Sequence, residues 1–221
     1  MIKQDYILRL IEQLVQTLYY SLGLTKSKDF SKALEVLDRA FTDFFGWDSN
    51  FVNSVPEEYL VEMLKNGGRL DVDNITVLAV LLKAEGDIYA AMDESAKAYH
   101  RHLRALHLFL TVSESNSPTL LPAEFKQIEE VLEVLAAYHL PSGTLHRLWK
   151  YHLANGDYAR AEDMLWELLD TTGYQKELLA AGINFYRELL ARSDEELAAG
   201  HLPRTEIQEG LAELHRMEMG D

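Results

Sequence analysis

The chain contains no cysteine. Disulfides, thiolate nucleophiles and Cys-ligated zinc are therefore excluded. Proline is scarce, at 5 in 221 residues, and glycine is modest, at 12. Both residues break helices, so their scarcity favours long helices over a turn-rich β-fold. The N-terminus lacks the continuous apolar stretch of a secretory leader, because Lys3, Gln4, Asp5, Arg9, Glu12, Gln13 and Gln16 interrupt it. No run approaches the roughly 18 apolar residues of a membrane span. Positive charge is in deficit, with 21 Lys and Arg against 36 Asp and Glu, a formal charge of −15. Such a field repels phosphate backbones and anionic lipid surfaces. It argues against nucleic acid and membrane as partners and reads as a device for solubility. Together these absences point to a reducing, cytoplasmic setting.

What is present is apolar periodicity. Ile7, Leu10, Ile11, Leu14, Leu18 and Leu22 fall at helical steps of three and four, and Gly23 stands as a stop. A second helix is predicted over 28–45, with Ala33, Leu34, Leu37, Ala40, Phe41 and Phe44 inward and Gly46 at its end. Residues 48–55 read as a loop. Ser54 and Glu57 form a capping box for a short helix to about Lys65, and Asn66-Gly67-Gly68 is a turn. Asp73 is expected to cap a helix to about Ala90. A further helix runs to about Val112 after a break near Met92-Asp93. The polar stretch 113–118 reads as a linker between an N-terminal half (1–112) and a C-terminal half (119–221), unless the chain is one continuous domain. Pro122 opens a helix to about His139, and others follow over 143–154, 157–171, 174–192 and 205–218. Ser193 with Glu196, and Thr205 with Gln208, form capping boxes. No alternating segment has the length of a strand, so the prediction is all-α, with about nine to eleven helices.

Internal repetition carries the most information. Leu145, Leu148, His152, Gly156, Asp157, Tyr158, Ala161, Leu165 and Leu168 describe a helix, a tight turn and a second helix opening on a small residue. Leu82, Gly86, Tyr89, Ala98, His102 and Ala105 repeat the template, with Met92-Asp93-Glu94 at the turn. Phe30, Ala33, Leu37 and Ala40 match its second half. The small anchors Ala33, Ala98 and Ala161 are 65 and 63 residues apart, near twice the 34-residue tetratricopeptide period. The pattern resembles tetratricopeptide hairpins. It implies an irregular solenoid of antiparallel helix pairs, with degenerate units over 56–90 and 122–154. A plain antiparallel bundle, which also needs small residues at crossings, is the alternative. The opening, Met1 to Arg9, resembles the start of a tetratricopeptide-like bacterial family, of Gram-positive species, that carries no activity to transfer.

Catalytic chemistry finds little support. His100, His102 and His107 share a helix but not the i,i+4 spacing that zinc favours. Adjacent carboxylates at 57–58, 129–130 and 195–196 diverge by about 100° on a helix. No nucleophile elbow, acylation motif or phosphate loop occurs. No catalytic residue, cofactor or metal is therefore assigned. Tyrosines and tryptophans such as Trp149, Trp166 and Tyr186 fill hairpin interiors or line a concave groove. His146, Lys150, Asn184 and Arg187 are the polar groups expected to face such a groove. The function expected is a protein- or peptide-binding scaffold without catalysis of its own. The alternatives are a small-molecule binder or enzyme with a pocket between the halves, and a structural homo-oligomer, such as a homodimer, joined through the amphipathic first helix.

Overall fold

The computed structural model describes residues 2–115 and 117–219, with side chains from residue 7 onward. The chain is 78% helical and has 12 α-helices among the described residues, so the all-α expectation holds. It divides into two compact units, Met1–Tyr138 and His139–Asp221.

The first unit contains α1 (Ile2–Lys26), α2 (Phe30–Phe45), α3 (Ser49–Ser54), α4 (Glu57–Met63), α5 (Val72–Ala91), α6 (Ser95–Glu114) and α7 (Ile128–Leu135). A 3-10 turn spans Ala123–Phe125. α5 is its axis. Ile75, Val77, Leu78, Ala79, Leu81 and Leu82 are fully buried and point in every direction around the helix. A helix apolar all round must be wrapped, and α1, α2, α6 and the 3-10 turn wrap this one. The second unit contains α8 (Ser142–Ala154), α9 (Tyr158–Thr172), α10 (Lys176–Leu190), α11 (Asp194–Ala199) and α12 (Arg204–Met219). Leu145, Trp149, Ala161, Leu165, Ile183, Tyr186 and Leu214 form its core.

Three hairpins, α1–α2, α5–α6 and α8–α9, turn in the same way. Lys28, Asp93 and Gly156 each take a left-handed conformation, with φ of 62°, 60° and 75°. The next residue in each donates its N–H back to the preceding helix: Asp29 to Leu24 O, Glu94 to Tyr89 O and Asp157 to His152 O, at 2.9, 2.9 and 3.0 Å. This is the Schellman ending, which satisfies carbonyls that a helix end leaves open. Five residues past each left-handed position comes an anchor alanine, Ala33, Ala98 or Ala161, buried to 0, 3 and 0% exposure. The second hairpin is thus in register at Asp93-Glu94-Ser95, one residue later than the pattern indicated.

Polar bonds settle several boundaries differently from the sequence reading. α1 passes Gly23 and ends at Lys26, because a glycine in a helix costs only about 1 kcal/mol. Residues 49–54 are helical, started by the Asp48 carboxylate accepting from the Phe51 N–H at 2.6 Å. No capping box forms at Ser54, whose hydroxyl donates back to Phe51 O while Pro56 opens α4. Residues 65–70 form a small antiparallel ladder, Lys65–Asn66 with Arg69–Leu70, turning at Gly67-Gly68. Asp71, not Asp73, caps α5. Asp73 is buried and accepts from Thr119 Oγ1 at 2.6 Å and the Leu120 N–H at 2.9 Å. That tie holds the chain following 113–118 against α5, and this stretch lies inside the first unit rather than between units. The single helix expected from Pro122 to His139 is instead the 3-10 turn followed by α7. The Ser193–Glu196 capping box is present and starts α11. Thr205 lies inside α12, which begins at Arg204.

Candidate functional site

α1 has two apolar faces. Ile7, Leu10 and Leu14 are buried against the unit. Leu8, Val15 and Leu22 recur every seven residues and stand 57, 41 and 51% exposed, with Tyr19 beside them at 78%. Ile11 and Leu18 are half-buried between the two faces. Leu22 was expected inward with Leu14, but a span of eight residues rotates it off the buried line. The sequence reading saw one face where there are two. The seven-residue spacing of Leu8, Val15 and Leu22 was the signal that could have separated them.

Beside this row, α1 and α5 line an open cavity of about 280 Å³. Leu18 and Leu22 form one wall, and Val80, Ala84 and Ile88 the other. Ser21 and Thr25 also line it, but their hydroxyls donate to Leu18 O (3.0 Å) and Ser21 O (2.8 Å) of their own helix. The α1 wall therefore behaves as an apolar surface.

Lys83, Asp87 and Gln127 supply the remaining polar lining. Lys83 Nζ lies 3.0 Å from Asp87 Oδ2 and 3.1 Å from Glu130 Oε2. Asp87 Oδ1 lies 2.8 Å from Nε2 of His102, which is buried. Burial alone would raise the Asp87 carboxyl, but the His102 bond and the Lys83 ammonium outweigh it and hold it below its usual value. Burial likewise opposes the charge on Lys83, yet Asp87 and Glu130 carry its pKa upward. The lysine is thus a held cation, not a free amine available as a nucleophile. The His102 ring stands where α5 comes closest: a Cβ added to Gly86 would lie 2.7 Å from Nε2. Asp87 and His102 are 15 residues apart, and no local motif joins them.

Two further networks fasten the first unit. Buried Glu85 accepts from Ser49 Oγ (2.5 Å), Asn53 Nδ2 (3.1 Å) and Arg101 Nε (2.9 Å). Arg104 donates to the carbonyls of Val52 (2.8 Å) and Val55 (2.5 Å). Glu57 faces His107 Nδ1 at 3.3 Å and Arg104 Nη1 at 3.6 Å. The His107 bond, against the opposing effect of burial, lowers its carboxyl to about 2.

The four residues expected in a groove lie in the second unit. His146 is half-buried, edge-on to Trp149 at 5.7 Å. Burial, and then the Lys150 ammonium, lower its pKa. Lys150 is exposed one turn further along α8. Asn184 and Arg187 are exposed on α10, and Phe185 between them meets Trp149 at 5.9 Å. Arg187 Nη2 donates to His215 Nε2 at 3.3 Å. Among the described residues no three His, Asp or Glu side chains gather as metal ligands. No described helix is long and apolar enough to cross a membrane.

A model described as a family of unknown function, DUF6483, matches residues 1–219. No curated protein and no solved structure matches the chain.

Proposed function

We propose that this chain, which belongs to the DUF6483 family of unknown function, is a protein-interaction module that receives a partner helix on the α1 side of its first unit. The observation that carries the reading is the exposed row Leu8, Val15 and Leu22 beside an apolar cavity. A helix laid along a groove anchors through apolar side chains at such spacing. Leu22 belongs to both the row and the cavity wall, so one anchor from a partner would cover both. Lys83, paired with Asp87 and Glu130, is not a free amine nucleophile. The recurring Schellman hairpins, with alanine anchors 65 and 63 residues apart, support a tetratricopeptide-like origin for the architecture. The cysteine-free composition supports a reducing, cytoplasmic setting for the partner.

A photo-crosslinking residue placed at Leu22, and for comparison at exposed Glu188 of α10, tests this in the cells that make the protein. The expected result is a polypeptide adduct from position 22 and none from position 188. No adduct at position 22 contradicts the reading.

A further inference from the structure

We infer that the polypeptide seated on this face is a second copy of the chain, an inference that rests on the interaction reading above. Leu8, Val15 and Leu22 take one heptad position of α1, and Ile11 and Leu18 take the other that a coiled-coil seam requires. The seam is therefore complementary to itself. In an antiparallel pair, Val15 meets the partner's Leu18 and Ile11 meets the partner's Leu22. The Glu12 carboxylate then lies on the same flank as the partner's Tyr19 hydroxyl. Each contact occurs twice by symmetry.

Charge permits the same partner. The chain carries −15, so two copies repel almost wherever they meet. α1 does not add to that repulsion: among its described side chains Arg9 and Lys26 stand against Glu12, a net charge of +1. Its described side chains offer a nearly neutral surface along about 30 Å of helix. A basic partner, by contrast, would be drawn to the acidic surface elsewhere. The area is also sufficient. The exposed parts of Leu8, Val15, Tyr19 and Leu22, with Ile11 and Leu18, come to roughly 500 Å² per copy, or roughly 1,000 Å² for a pair. With full burial that reaches the roughly 1,000 Å² at which a biological interface begins and falls short of the roughly 1,200 Å² of stable ones, so the pair is a weak, concentration-dependent dimer.

Light scattering on the purified full chain, from about 1 μM to about 1 mM, spans the affinities such an interface gives. The mass should rise from 25.3 kDa toward twice that value. A Leu8→Gln, Val15→Gln, Leu22→Gln variant should stay at the monomer mass at every concentration and keep its helical circular dichroism, since the three side chains are exposed. Should that variant fail to fold, the double variant Ile11→Cys, Leu22→Cys gives a separate readout: with no native cysteine, it should form a disulfide-linked dimer under mild oxidation, and Tyr59→Cys should not. A wild-type chain that stays monomeric, or a dimer that survives the triple substitution, overturns the inference. If the chain stays monomeric while position 22 captures a foreign polypeptide in cells, the interaction reading stands and the second copy falls. If position 22 captures nothing, both fall.

Discussion

The hairpins α5–α6 and α8–α9 share one turn and differ in how their helices meet. In α5–α6 a glycine, Gly86, lets α5 come against the buried His102 ring, which is tied to Asp87. In α8–α9 no glycine stands at that crossing; Ala161 and Leu165 are fully buried, and the buried His152 lies with its Nδ1 3.6 Å from Asp157 at the turn. The turn itself accepts either Asp93 or Gly156 at its left-handed position. The backbone bonds of the Schellman ending therefore dictate the shape, and side chains are free to specialise. Both hairpins bury a histidine beside an aspartate; in α5–α6 that aspartate, Asp87, lines the cavity, and in α8–α9 it is Asp157 of the turn itself.

Substitutions can break this contrast. Ala161→Leu should have the largest effect, about 1–3 kcal/mol of destabilisation, since no space remains at a fully buried crossing. A neutral result in a urea titration would mean that the crossing is loose. Gly86→Ala should cost about 1–2 kcal/mol despite the better helix propensity of alanine, because the new methyl displaces the His102 ring. A melting temperature at or above wild type would show that the ring moves freely.

Two glutamates sharpen the comparison through pH. Glu57 in the first unit has a lowered carboxyl, at about 2 against 4.5. Its contribution is present above pH 4.5 and is lost as pH falls through about 2. Glu57→Gln should therefore destabilise by about 1 kcal/mol at neutral pH, after screening by water, and the difference should fade in acid. Glu162 in the second unit is opposite in sign. Burial raises its carboxyl, although the Tyr186 hydroxyl donates to it at 2.6 Å. Its ionised form is disfavoured in the fold, so stability is lost as pH rises through the folded value. Glu162→Gln keeps an acceptor for Tyr186 and should raise stability at neutral pH by a few tenths of a kcal/mol. Stability against pH for both variants, measured by denaturant melts, checks the two signs.

The turn gives a further pair of opposite sign. A non-glycine residue in the left-handed region carries a strain of about 1 kcal/mol. Asp93→Gly should relieve it, partly offset by unfolded-state entropy, and stabilise by about 0.5 kcal/mol. Gly156→Ala should do the reverse by about 1 kcal/mol, although open space surrounds it.

These residues also mark what the sequence could reveal. Ala33, Ala98 and Ala161 were legible because small side chains at a fixed offset from a turn leave a local pattern. Asp73 was not: its partners lie 46 and 47 residues away, and its position near a helix start made capping the nearer reading. The second face of α1 was hidden because apolar residues at steps of three and four were assigned to one stripe, while helical rotation divides them into two. The polarity of His146, Lys150, Asn184 and Arg187 carries no information on which face of its helix each side chain takes.

Tyr19 and Tyr59 are the most direct reporters of the central claim, since both are well exposed, at 78% and 66%, and only Tyr19 lies on the α1 row. Hydroxyl-radical footprinting would compare the protein inside its cells with the dilute purified chain. Loss of labelling at Tyr19 in cells, with Tyr59 unchanged, is the predicted result; equal labelling of Tyr19 in both settings would contradict a partner on this face.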